Sequence, residues 1–132
     1  MKIEIKQPIA LCLEVVETDD HVPSMCVQVE IVVAQFQHTC RYDGSFWIEC
    51  ANWDSFVQSL RAPTEEGVAL RDMNECFLLA IQKIDGCLSL VLEFAKSDVG
   101  GSRQMKFAFT SAIDDDALAK IKDEFLEFPA WW

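Results

Sequence analysis

At 132 residues the chain fits one domain and can bury roughly two-thirds of the surface its unfolded form exposes. Half of the residues are hydrophobic, a quarter are charged, and Gly and Pro are few, a composition that excludes a disordered or low-complexity chain. Acidic residues outnumber basic ones by 22 to 11, a net charge of −11 spread along the chain. Such a field repels nucleic acid and anionic membranes and steers a basic partner inward, and the same excess also serves plain solubility.

The first residues, MKIEIKQPIALCLEVVE, alternate charged with apolar side chains. They lack the uninterrupted apolar stretch and small-residue cleavage site of a secretory signal, and no run reaches the roughly 18 apolar residues of a membrane span. The chain is therefore expected to be cytoplasmic. Six cysteines occur without a CxxC pair or a histidine placed to complete a zinc site, so free, buried thiols are expected.

In chain order, Ile3 to Ile5 and Ile9 to Val16 read as strands separated by Pro8, with Leu11, Leu13 and Val15 on one face. Glu17 to Ser24 reads as a polar loop. Met25 to Phe36 is the next long strand, with Val27, Val29, Ile31 and Val33 inward, and it is expected to continue, bent, through Tyr42. Asp43-Gly44 then predicts a hairpin into Phe46–Glu49. Asn52 is a candidate N-cap for a short helix of about 52–61, on which Trp53, Phe56, Val57 and Leu60 fall at i, i+3, i+4 and i+7. Pro63 stops it, Thr64–Gly67 is a loop, and Val68 to Asp72 forms a short strand.

The strongest signal lies between Glu75 and Ala95, where two apolar runs are joined by Asp85-Gly86. A type I′ turn there pairs Ile84 with Cys87, Lys83 with Leu88, Ile81 with Leu90, Leu79 with Leu92 and Phe77 with Phe94. One face of the ribbon becomes almost wholly apolar, so a one-residue slip would destroy the sorting. Beyond a loop at Ser97–Ser102, Met105, Phe107 and Phe109 alternate with polar or small residues as a half-buried strand. A last helix of about 114–128 is capped by Asp114 and carries Leu118, Ile121, Phe125 and Phe128 on one side. The predicted class is α+β: one domain over 1–132, an antiparallel β-meander sheet with one short inserted helix and a C-terminal helix packed on one face. Trp53, Phe77, Leu79, Ile81, Leu90, Leu92, Phe107, Phe109, Ile121 and Phe125 are the expected core.

Chemistry is sparse. His21 and His38 stand at no catalytic spacing from Cys, Ser or Asp. Asp114-Asp115-Asp116 lacks the alternating ligands and glycine of a calcium loop and reads as helix capping. Gly100-Gly101 lacks P-loop spacing, and no basic stripe carries interleaved aromatics. No catalytic residue, metal site or cofactor is expected. Trp131-Trp132 lies beyond Pro129, where helical periodicity no longer explains it. The pair either folds back onto the sheet or offers an apolar anchor to a partner.

The segments FWIECANWDSFVQSL, GVALRDMNECFLLAIQKIDGCLSLVLEF and MKFAFTSAIDDDALAKIKDEFLEF resemble the WapI-type immunity proteins of bacterial polymorphic-toxin systems. The likeness rests on Trp53, Phe56 and Leu60; on Asp72, Met73 and Glu75; on Asp85 and Gly86; on Phe107 and Phe109; and on Asp116, Leu118 and Phe125. It covers roughly Phe46 to Phe128. The resemblance implies a non-enzymatic protein that binds a cognate, basic toxin domain and blocks it. Two other classes compete: a carrier of an apolar small molecule, and a structural domain whose mixed sheet face forms a homodimer. For toxin binding the candidate contacts are Asp19, Asp20, Glu65, Glu66 and Asp98 in loops, with Trp131 and Trp132 at the chain end.

Overall fold

A computed structural model describes residues 2–62 and 66–132, so Pro63, Thr64 and the candidate Glu65 lie outside the described residues. The chain runs β1 (Lys2–Ile5), β2 (Ala10–Asp19), β3 (Ser24–Gln35), β4 (His38–Glu49), α1 (Cys50–Arg61), β5 (Val68–Arg71), β6 (Phe77–Ile84), β7 (Cys87–Ser97), β8 (Gln104–Ala112) and α2 (Asp115–Glu127). It is α+β, with the strands in two four-stranded antiparallel meanders, β1-β2-β3-β4 (the first sheet) and β5-β6-β7-β8 (the second). Among the described residues no helix is long and apolar enough to cross a membrane.

The central hairpin has the register expected from its sequence. Asp85 and Gly86 both take positive φ, at 51° and 81°, and every pair from Ile84–Cys87 to Phe77–Phe94 forms. Phe77, Leu79, Ile81, Leu90, Leu92 and Phe94 are buried on its inner face. The first sheet supplies the opposing layer, with Ile3, Leu11, Leu13, Val27, Val29, Ile31, Phe46 and Ile48 turned inward. The two layers meet ring to ring. Phe46 lies 4.8 Å from Phe77, and Tyr42 lies 4.7 Å from Phe94, measured between ring centroids.

The helices close the other side of the sandwich. α1 buries Trp53, Phe56 and Leu60 and packs against β5, while α2 buries Ile121 and Phe125 and runs beside β1. The helices join through Phe56 and Phe125, whose rings meet edge to face at 5.0 Å. Asp114 caps α2 as its sequence predicts, accepting a hydrogen bond from the Ala117 N–H at 2.7 Å.

Four sequence expectations are corrected. Asp43-Gly44 is not a turn. The bend between β3 and β4 is at Phe36-Gln37, both at positive φ, and β4 pairs with β3 from His38 through Glu49 without a break. This register sets Val27 opposite Phe46 and Ile31 opposite Tyr42, so inner-face burial of Val27, Val29, Ile31, Phe46 and Ile48 outweighs a favourable turn dipeptide. The polar loop after β2 contracts to residues 20–23, because β2 continues to Asp19 past a bulge between Val15 and Glu17. Asn52 is not the cap of α1. The helix begins at Cys50, whose N–H donates to the Pro23 carbonyl at 2.9 Å, so a tertiary bond sets its start in place of a side-chain cap.

The last correction concerns burial. All six cysteines are free thiols, but Cys40, near the tip of the β3–β4 hairpin, and Cys87, beside the β6–β7 turn, are exposed. Phe107 and Phe109 face the core yet remain half-buried, and Met105 on the same face is 65 % exposed. β8 is an edge strand, with a neighbour on one side alone.

Candidate functional site

The start of α1 gathers most of the candidate surface. Cys50 is held to the β2–β3 turn through the Pro23 carbonyl, and Asp54 follows one helical turn later. The Trp132 indole N–H donates to the Asp54 carboxylate at 3.0 Å. The Trp132 ring stands perpendicular to that of Trp53, centroids 6.3 Å apart, and Trp131 rests on Phe128 at 6.0 Å. The terminal pair thus folds back onto the seam between the helices, not onto the sheet. Trp53 beneath it is fully buried, while Trp131 and Trp132 stay 50 % and 36 % exposed. A cleft of about 380 Å³ adjoins this platform, with Trp53, Asp54, Arg61 and Phe128 in its wall.

Two further carboxylates lie at the β2–β3 turn that Pro23 ties to α1. Asp19 and Asp20 sit where β2 turns into β3, and the Asp19 carboxylate accepts the His21 N–H at 2.9 Å, which fixes the turn. Burial pushes the Cys50 thiol above its ordinary range, and the nearby Asp54 and Asp20 carboxylates push it further. The Cys50–Pro23 bond joins the turn that holds Asp20 to the helix that holds Asp54. Val22, 50 % exposed in that turn, adds apolar surface.

α2 ends at this pole too. It runs antiparallel to β1, and Glu124 accepts the outward Glu4 N–H at 3.2 Å, while Glu127 and Lys2 line one side of a cleft of about 710 Å³. The last turn of α2 carries no basic residue. A helix C-terminus already presents about half a negative charge, so Glu124 and Glu127 add to it where a lysine or arginine would stabilise the helix. Lys2, Lys6 and Lys120 line the same cleft and offset part of this charge.

The remaining candidates are elsewhere. Glu66 follows the far end of α1 and precedes Gly67, which is pressed against Ile81 and Gln82. Asp98 lies in the β7–β8 turn. The Gln82 level pairs with Ser89, and nine residues of β7 separate that level from Asp98, roughly 30 Å at about 3.3 Å per residue. Asp98 also has a local structural role. Its carboxylate accepts the Ser102 hydroxyl at 2.7 Å and the Arg103 N–H at 3.2 Å, and these bonds hold its carboxyl below the ordinary range. Of the seven candidates, Trp131 and Trp132 pack on each other, and Asp19 and Asp20 lie at the turn that the Pro23 carbonyl ties to the start of α1.

Asp54, Glu124 and Glu127 belong to the same pole but were not singled out from the sequence. Asp54 reads there as the polar side of an amphipathic helix. The detectable signal was the lack of a basic residue in the last turn of α2. Among the described residues no group of three His, Cys, Asp or Glu side chains is placed to hold a metal ion. Comparison of the chain with family models, with curated proteins and with solved structures finds no match.

Proposed function

We propose that the protein is a non-catalytic, immunity-type protein that binds and neutralises a cognate basic toxin domain, with the pole described above as its docking face. The observation that carries this reading is the Trp131–Trp132 platform, buttressed by buried Trp53 and bonded to the Asp54 carboxylate. Large, pre-positioned aromatic side chains supply binding energy at low ordering cost, and a carboxylate rim selects a basic partner and speeds encounter. The net charge of −11 and the resemblance to WapI-type immunity proteins support the same reading. The layers of the sandwich meet through their own rings in place of a ligand, which favours a partner on the outside over an apolar cargo within.

The test is co-expression with basic toxin domains drawn from the neighbouring genes, scoring survival, followed by binding kinetics at two salt concentrations. Replacing Trp131 and Trp132 with Ala raises the off-rate, with about 2 kcal/mol or more lost in binding free energy. Reversing Asp19 and Asp20 to Lys slows association and flattens its salt dependence, while Glu66→Lys, at the far end of α1, has a smaller effect. If the toxin kills despite expression of the protein and no complex forms at low salt, the immunity reading is wrong.

A further inference from the structure

β8 leaves one edge of the second sheet open, and its geometry specifies what fits there. The Ala95 N–H donates to the Cys76 carbonyl and the Ile113 N–H to the Leu88 carbonyl, so odd-numbered residues of β7 bond toward β6 and even-numbered ones toward β8. Met105, Phe107, Phe109 and Ser111 therefore exchange bonds with β7, and the N–H and C=O groups of Lys106, Ala108 and Thr110 point outward from the edge. Among the described residues these groups meet no partner, whereas Glu124 accepts the outward Glu4 N–H of β1 and the Met73 N–H donates to the Trp47 carbonyl at the edge of β4.

We infer that β8 pairs antiparallel with β8 of a second copy about a two-fold axis at Ala108, joining the second sheets of the two copies into one sheet of eight strands. This proposal is independent of the toxin-binding reading. In that register Ala108 faces its own copy and Lys106 faces Thr110, so every outward-pointing residue from 106 to 110 meets another, and the axis passes through hydrogen-bonded pairs. On the inner face Phe107 of each copy comes opposite Phe109 of the other, completing the burial that the edge position leaves half done.

Charge also selects this occupant. Two molecules at net −11 repel, yet β8 carries no carboxylate and its charged residue is Lys106. An axis at Lys106 would set like charges face to face, and an axis at Thr110 would run the pairing off the end of the strand. The axis at Ala108 avoids both, and it brings Arg103 of each copy beside Asp114 of the other.

Sedimentation over a concentration series, with far-UV circular dichroism as the control for folding, tests the proposal. The wild-type protein passes from 15.0 kDa to about 30 kDa as concentration rises. Ala108→Pro, which removes an outward N–H while leaving the bonds to β7 intact, raises the dimer dissociation constant at least about 100-fold. Ala108→Lys, which sets two lysines against each other at the axis, does the same and decides the matter if the proline variant fails to fold. Hydrogen exchange at Lys106, Ala108 and Thr110 slows with concentration, while exchange at Phe107 and Phe109 does not change. A wild-type protein that stays at 15.0 kDa up to about 1 mM overturns the proposal, as does a dimer that both variants leave intact.

Discussion

Two Asp-Gly pairs occur in this chain, and they do opposite things. Asp85-Gly86 is the two-residue turn of the β6–β7 hairpin, while Asp43-Gly44 lies in the middle of β4, paired with Glu30 and Val29. A Cβ added at Gly86 meets nothing within 4 Å, so this glycine answers to its positive φ alone. A Cβ added at Gly44 would run into the Tyr42 hydroxyl and ring, because Tyr42 lies along its own strand over the glycine. From there its ring reaches Phe46 and Phe94, and its centroid is 6.3 Å from that of Phe107. One glycine thus serves the backbone of a turn, and the other makes room for the ring that joins the two sheets.

The largest effect should come where both hairpins depend on the shared core. Leu90, fully buried opposite Ile81, should lose about 2–5 kcal/mol of stability on truncation to Ala in urea unfolding, and Phe107→Ala should lose less because its ring is half-exposed. Next comes the contrast between the glycines. Gly44→Ala should destabilise by about 1–3 kcal/mol by displacing Tyr42, and Gly86→Ala by about 1 kcal/mol through backbone strain. In a double variant with Tyr42→Ala, the Gly44 substitution should add much less than it does alone, while the Gly86 substitution adds its full effect. Equal coupling of both glycines to Tyr42 would erase the distinction.

The smallest effect is a pH dependence. Burial, with help from nearby Asp72, Cys76 and Asp43, pushes the Tyr42 hydroxyl from 10.0 up to about 12. In the unfolded chain the phenol ionises near pH 10 and in the folded chain two units higher, so the folded state holds the proton longer. The Tyr42 contribution is therefore complete below about pH 10 and is lost as pH rises toward 12. Tyr42→Phe, which keeps the ring stacking, should flatten that part of the stability curve relative to wild type. A wild-type curve no steeper than that of Tyr42→Phe between pH 10 and 12 would separate the hydroxyl from the packing role of the ring.

Much of this architecture was legible in the sequence where the information is local. The alternation through 77–84 and 87–94, with Asp85-Gly86 between, specifies its register because a slip by one residue exposes Leu79, Ile81, Leu90 and Leu92 together. Asp114 and the spacing of Ile121 and Phe125 mark α2 for the same reason, since cap and stripe lie within a few residues of one another. The tertiary structure alone decided the rest. Phe36-Gln37 turns because the register it sets buries Val27, Val29 and Ile31 of β3 with Phe46 and Ile48 of β4, and α1 starts at Cys50 because a carbonyl twenty-seven residues earlier receives its N–H. The candidate surface belongs to this second kind. Trp132 reaches Asp54 across 78 residues of sequence, and the Pro23–Cys50 bond ties the turn that carries Asp20 to the same helix, while Asp98 lies in the β7–β8 turn and Glu66 follows the other end of α1. Periodicity and turn chemistry act over a handful of residues, whereas a surface is assembled from contacts whose partners no local pattern names.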